Sequence, residues 1–155
     1  EKAHEIADKV EEEIKRRSPQ IESFMVHVEP FKSDWQHLVL PVGAKKGLDS
    51  KISDQFARAP YFLFVNLKNK ELKGFYFLKN PYQKKKTKTG LAVAKLINKQ
   101  KSDILITKQI GEIAFYALKE NLLDIYQTKD ETVKKAVENF IKSKPAPLKR
   151  ATKNA

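Results

Sequence analysis

The chain has 155 residues, carries a formal net charge of +12 and contains no cysteine. The lack of thiols excludes disulfides, thiolate metal sites, iron–sulfur ligation by this chain and cysteine nucleophiles. No stretch approaches about 18 consecutive apolar residues and no signal-peptide pattern opens the sequence, so we expect neither a bilayer span nor export. We therefore expect a cytoplasmic protein with one domain of ordinary size plus appendages.

The positive charge is unevenly placed. Residues 1–30 hold eight acids and five bases, whereas the remainder holds eleven acids and twenty-six bases, a net charge of +15. Nine lysines and no acid lie between Leu72 and Ser102. Such a surface attracts phosphate-rich partners, either nucleic acid or the anionic inner leaflet of a membrane. A solvated, solubilising lysine surface is the alternative interpretation.

The first predicted element is an amphipathic helix that ends near Arg17, because Pro19 disfavours helical geometry at the residue before it. A strand predicted over Gln20–His27 then runs back antiparallel to the helix. Alternation along the strand puts His27 and Glu29 on one face, and the lengths of the two elements bring His4 beside them. Two imidazoles and a carboxylate suit zinc, although a closed site usually has four ligands. Ordinary, unliganded histidines are the alternative.

The runs 3–17 and 26–30 resemble the second half of the cytoplasmic domain of cation diffusion facilitator transporters. This resemblance implies a ferredoxin-like, metallochaperone-like α+β domain that binds zinc or another divalent cation through His4, His27 and Glu29. It also implies dimerisation and a location on the cytoplasmic face of the inner membrane. The first half of such a domain, including a further ligand, would precede Glu1.

The second part of the chain alternates strands and helices. The predicted strands are 38–42, 61–65, 72–78, 103–106 and 125–126, with a hairpin turn at Lys68–Lys70. The predicted helices are 91–98, 112–120 and 132–142. The inward residues expected for the middle helix are Ile113, Ala114, Ala117 and Leu118. This order predicts an α/β fold with a mixed sheet flanked by helices, and residues 144–155 are expected to form a basic disordered tail.

This second part resembles the dinitrogenase iron-molybdenum cofactor biosynthesis domain. The likeness is carried by residues 47–62, by Asn80-Pro81, and by residues 106–111 with Ala114. It implies a ribonuclease-H-like architecture without nuclease chemistry. It also implies a role like that of the family's members, which bind or carry nitrogenase cofactor clusters. Gln55 stands where the family usually has histidine, Ala57 where it has glycine, and residues 82–89 replace a stretch rich in histidine and glycine.

A ligand site is expected where strands end and helices begin, because ligands of open α/β sheets sit there and helix N-termini favour anions. The candidate residues for this basic crevice, to which the lysines of 84–88 add charge, are Lys46, Gln55, Arg58, Thr107, Lys108 and Gly111. For Thr107 and Gly111 a turn-and-cap role is the alternative. No glycine-rich phosphate loop or nucleophile–base pair is visible, so we expect no enzyme activity.

The sequence thus predicts a partial cation-efflux domain over 1–33, a cofactor-biosynthesis-like domain over 34–143 and a tail over 144–155. The leading hypothesis is the metal-sensing, dimerising cytoplasmic region of a divalent-cation efflux transporter. The alternative is a carrier for an anionic ligand such as an iron-molybdenum or iron–sulfur cofactor. Nucleic-acid binding by the lysine run and its neighbouring aromatic residues is a third and weaker hypothesis, since no RNA-recognition motif is present.

Overall fold

The computed structural model describes residues 2–26, 33–143 and 145–153. The chain divides into two compact units, Glu1–Ser33 and Asp34–Ala155. Within the described residues, no helix is long and apolar enough to cross a membrane.

The first unit contains helix α1, Lys2–Arg17. The helix ends where Pro19 predicts, and the Ser18 amide donates the last helical hydrogen bond to the Ile14 carbonyl at 2.9 Å. The strand expected over Gln20–His27 is absent from its described part, because residues 21–26 pair with no other described segment. An isolated extended segment lacks the ladder hydrogen bonds that define a strand. Residue 27 lies outside the described residues.

The second unit is a five-stranded mixed sheet covered by helices on both faces, which confirms the predicted fold class. Its elements in chain order are β1 (Trp35–Val42), β2 (Tyr61–Lys68), β3 (Glu71–Lys79), α2 (Thr89–Asn98), β4 (Ile104–Thr107), α3 (Glu112–Lys119), β5 (Asp124–Gln127) and α4 (Val133–Ser143). The strand order is β3-β2-β1-β4-β5. The β1–β2 and β2–β3 pairs are antiparallel, whereas β1–β4 and β4–β5 are parallel.

The alternation of side chains along β1 divides the core into two layers. Val39 points to the layer formed with α2 and α3, whereas Leu38 and Leu40 point to the layer covered by α4. Strand β4 is buried at all four positions. Such an uninterrupted apolar strand is typical of parallel pairing with helices on both faces.

The hairpin between β2 and β3 turns where the sequence predicts it. Asn69 and Lys70 both have positive φ, 50° and 67°. Positive φ at both central residues is the requirement of a two-residue type I′ turn, whose twist matches that of the flanking strands.

The expected inward face of α3 is partly wrong. Ala114 and Leu118 are buried as predicted, but Ile113 is 58% exposed and Phe115, 1% exposed, takes its place in the core. Positions 113 and 115 are two residues apart and therefore lie about 200° apart around the helix axis. Ile113 is therefore left on the open side of α3.

The expectation of a disordered C-terminal tail is wrong for residues 145–153. The Leu148 amide donates to the Ile125 carbonyl at 2.7 Å, on the edge strand β5. Leu148 and Ala151 pack against the core layer of α2 and α3. A free strand edge offers unpaired backbone groups to any nearby segment, and here the C-terminal segment covers the edge of β5. Residues 144, 154 and 155 lie outside the described residues.

Candidate functional site

A cleft of about 360 Å³ opens where the N-termini of α2 and α3 meet. Its volume falls in the range of about 300–1,000 Å³ that small-molecule sites occupy. Its walls also include part of the loop between β1 and β2, and Lys153 near the C-terminal end of the described chain. The lining residues are Gln55, Phe56, Ala57, Arg58, Lys86, Lys88, Thr89, Gly90, Gln109, Ile110, Gly111, Glu112, Ile113, Ala114 and Lys153.

The wall made by residues 55–58 is held by Asn80, which is 3% exposed. Its side-chain amide donates to the carbonyls of Ala57 at 3.0 Å and Ala59 at 2.8 Å. Its side-chain oxygen accepts from the Tyr82 amide at 2.9 Å. One buried side chain thus ties the loop before β2 to the loop after β3.

The lysine-rich loop before α2 is fastened to the same wall. One terminal nitrogen of Arg58 donates to the carbonyls of Gln83 and Lys85, at 2.8 and 2.7 Å. The Thr89 hydroxyl donates to the Lys85 carbonyl at 2.8 Å. These bonds fix the backbone on either side of Lys86, so that Lys86 and Lys88 reach the cleft from a held loop.

The electrostatics of the cleft favour an anion. Four cationic residues line it, Arg58, Lys86, Lys88 and Lys153, against the single acidic residue Glu112. The two helices that start there have Lys88 and Gly111 at their N-caps, and at neither of these described positions does a side chain cap the helix. The first amides of a helix have no intrahelical acceptor, so both N-termini offer hydrogen-bond donors to a ligand.

The predicted ligand residues separate into two groups. Gln55, Arg58 and Gly111 line the cleft, whereas Lys46, Thr107 and Lys108 do not. Thr107 is fully buried and its hydroxyl donates to the Gln109 carbonyl at 3.2 Å, which is the turn role that the sequence left open as an alternative. Lys46 lies before the 3₁₀ turn Gly47–Asp49, where its amide donates to the Ser50 hydroxyl at 2.9 Å.

Lys108 is used in an ion-pair bridge. Its Nζ lies 2.9 Å from a carboxylate oxygen of Glu131 and 3.1 Å from one of Asp54, and its side chain is 15% exposed. The hydrogen bond to Glu131 is the main reason that the pKa of Lys108 is raised, with Asp54 adding to the effect and burial opposing it. The bridge joins the loop after β4 to the loop that carries Gln55 and to the segment before α4.

The predicted metal residues are only partly within the described chain. His4 is exposed on α1, while His27 and Glu29 lie outside the described residues. Over residues 2–26, 33–143 and 145–153, no three histidine, aspartate or glutamate side chains are grouped as a metal site requires.

The family profile of the dinitrogenase iron-molybdenum cofactor domain matches residues 38–143. The chain belongs to this family. A second, shorter match joins residues 1–31 to the cytoplasmic domain of cation efflux proteins. No curated protein matches the chain.

Solved structures share the fold of the family domain. The apo form of the orange protein from Desulfovibrio gigas is similar with a TM-score of 0.69 and 23% identity, over 79% of this chain and 100% of that one. A Thermotoga protein of the DUF35 family is similar with a TM-score of 0.63 and 26% identity, over 76% of this chain and 97% of that one. A Methanocaldococcus jannaschii protein whose name refers to dinitrogenase is similar with a TM-score of 0.58 and 22% identity, over 74% of this chain and 95% of that one.

Sequence reasoning missed several cleft residues. Gly90 precedes the helix predicted over 91–98, Ile113 was predicted to face the core, and Lys153 to be part of a tail. The signal for Gly90 was available, since a glycine inside a predicted helix start often marks a close approach. No comparable signal marked Lys153, because its place depends on contacts with Ile110, far back in the sequence.

Proposed function

We propose that the 34–153 part of the chain binds an anionic metal-cluster cofactor of the iron-molybdenum or iron–sulfur type in the cleft. The observation that carries the proposal is that four cationic residues and two helix N-termini without side-chain caps line one cleft. Membership of a family named for the iron-molybdenum cofactor supports it.

The donor set determines how such a cluster would be held. All the lining residues are described, and none of them is a cysteine or a histidine. Cysteine and histidine, the side chains that usually bond to the iron of a cluster, are therefore missing from the walls. The cleft residues fit a preassembled cluster bound through its outer sulfur or oxygen atoms, which accept hydrogen bonds from backbone amides, lysine and arginine.

In this proposal the protein is a carrier and not an enzyme. The described lining residues include no nucleophile paired with a base, and a noncovalent, charge-based site permits both loading and release. Glu112 is the one acidic residue among those that line the cleft, and its charge offsets part of the positive charge there. We propose that this keeps the affinity for the cluster low enough for transfer.

The test is titration of the full chain with tetrathiomolybdate, molybdate and sulfate at physiological salt, followed by calorimetry. We expect the sulfur-rich anion to bind, and the double variant Lys86→Gln, Lys88→Gln to weaken binding by about tenfold or more. The matched control is Lys95→Gln, Lys99→Gln, which removes two exposed lysines of the α2 region that do not line the cleft. Absence of binding, or equal losses in both double variants, would contradict the proposal.

A second candidate function rests on the match of residues 1–31 to the cation efflux cytoplasmic domain. Here the first unit would bind zinc or another divalent cation through His4, His27 and Glu29, pair with a second copy, and serve a transporter at an anionic inner membrane leaflet. The test is zinc titration of the chain and of His27→Ala, Glu29→Ala, with the oligomeric state followed by ultracentrifugation. Zinc affinity that is unchanged in these variants would eliminate this role.

A further inference from the structure

Residues 145–153, here called the C-terminal strap, lie beyond the family match, which ends at residue 143. The strap is tied to the body of the domain at both ends. At its start the Leu148 amide donates to the Ile125 carbonyl on β5. At its end, residues 152 and 153 bond to Ile110, the residue before the N-cap of α3.

The contacts at Ile110 are reciprocal. The Ile110 amide donates to the Thr152 hydroxyl at 2.8 Å, while the amides of Thr152 and Lys153 both donate to the Ile110 carbonyl at 3.1 Å. Gly111 forms a parallel bridge with Lys153. The backbone that starts α3 is thus held in place by the strap.

We propose that the C-terminal strap is part of the ligand site, with Lys153 contacting the bound anion and Thr152 acting as a positioning residue for the N-terminus of α3. This inference rests on the proposed function and deepens it, because it assigns binding to a segment outside the family match. Lys153 is the one strap residue that lines the cleft. Lys149 and Arg150, also exposed, do not.

The strap makes anion binding and its own docking mutually dependent. A detached strap would remove one cation from the cleft and would release the backbone that aims the first amides of α3. An anion therefore binds the docked state more tightly than the detached state. By linkage, the factor by which the docked strap strengthens binding equals the factor by which saturating anion favours docking.

The first experiment compares strap variants of the full chain in the tetrathiomolybdate titration. Lys153→Gln and Thr152→Ala should each weaken binding by about three- to tenfold. Thr152→Ser keeps the hydroxyl and should restore most of the affinity. Lys149→Gln and Arg150→Gln remove the same charge from the same strap, and should change the affinity by less than about twofold.

The second experiment needs no variant that could misfold. Hydrogen exchange of the Leu148 and Thr152 amides reports detachment of the strap, since both amides donate to acceptors outside it. Saturating tetrathiomolybdate should slow both exchange rates by the same factor, of about fivefold or more. The Val133 amide, which donates to the Ser50 carbonyl, is the control and should not change by that factor.

The outcomes separate the two proposals. If Lys86→Gln, Lys88→Gln abolishes binding while the Thr152 and Lys153 variants bind as the unaltered chain does, the carrier function stands and the strap inference fails. Exchange rates at Leu148 and Thr152 that do not respond to the anion would also overturn the strap inference alone. If the unaltered chain binds none of the anions, both proposals fail.

Discussion

Gly90 in α2 and Ala114 in α3 approach so closely that a methyl group on Gly90 would lie 3.3 Å from the Cβ of Ala114. Both residues line the cleft. The spacing of the two helix N-termini, and hence the width of the positive cleft, depends on this contact between small residues.

Replacing Gly90 with alanine is therefore expected to weaken tetrathiomolybdate binding while changing stability little. The gain in helix propensity, about 0.5–1 kcal/mol, opposes the cost of the crowded methyl group. Calorimetric titration and urea unfolding measure the two effects. The double variant Gly90→Ala, Ala114→Gly relieves the contact and should recover affinity. A rise in stability of about 1 kcal/mol with unchanged affinity would show that the helices separate freely.

Lys88 is expected to show a conflict between stability and binding. It occupies the N-cap of α2 with φ of 53°, a left-handed conformation that costs a non-glycine residue about 1–2 kcal/mol. Lys88→Gly should raise the free energy of unfolding by up to about 1 kcal/mol and should weaken anion binding.

Lys101 provides the matched control for Lys88. It has φ of 54°, is exposed and does not line the cleft. Lys101→Gly should give a similar gain in stability with no change in affinity. Equal effects of the two substitutions on affinity would argue against a role for Lys88 in binding.

Asn80 is expected to be the most sensitive polar residue of the cleft wall. Asn80→Ala removes three hydrogen bonds and leaves two backbone carbonyls without that donor, so we expect a loss of about 2–4 kcal/mol in urea unfolding. Asn80→Asp keeps the acceptor for the Tyr82 amide but sets a carboxylate against two carbonyls. It should therefore be no more stable than Asn80→Ala. Asn121→Ala, which removes an exposed amide bonded to the Ala117 carbonyl, should cost less than about 0.5 kcal/mol.

The Lys108 bridge gives a pH-dependent prediction. Lys108→Gln should lower the free energy of unfolding by about 1 kcal/mol at pH 7. Because the folded-state pKa of Lys108 is raised above its ordinary value of 10.5, its contribution is fully present below that value and is lost as the pH rises through the folded pKa.

Urea unfolding of the unaltered chain and of Lys108→Gln, at pH 7 and above pH 10.5, tests this pH dependence. The difference in the free energy of unfolding between the two proteins should shrink at the higher pH. The control is Lys73→Gln, since the Lys73–Glu71 pair has side chains 44% and 75% exposed. It should show little effect at either pH. A difference that persists unchanged at high pH would mean that Lys108 stabilises by packing alone.

The sheet and its helices could be predicted from the sequence because their signals are local. The continuous apolar runs of β1 and β4 and the turn residues at Asn69-Lys70 each depend on neighbours in the chain. The family pattern at Asn80-Pro81 was visible, but its reason was not, since the acceptors of Asn80 lie more than twenty residues earlier.

The cleft was harder to predict because its residues are placed by distant contacts. Lys108 follows a buried strand as ligand residues often do, yet Asp54 and Glu131 engage it in ion pairs. Ile113 has core character, but the open cleft leaves that side of α3 uncovered. The C-terminal segment has a composition typical of disorder, but it is held by two apolar side chains, by the edge of β5 and by hydrogen bonds to Ile110.

The bond between the Ile110 amide and the Thr152 hydroxyl joins residues 42 positions apart. During translation, the five-stranded sheet and helices α1 to α4 are synthesised before the partner that Ile110 requires. A ribosome-bound chain can therefore form its sheet while the segment before α3 still lacks this partner. If the cleft binds an anionic cluster as proposed, loading would follow the synthesis of this segment and so would come after the formation of the sheet.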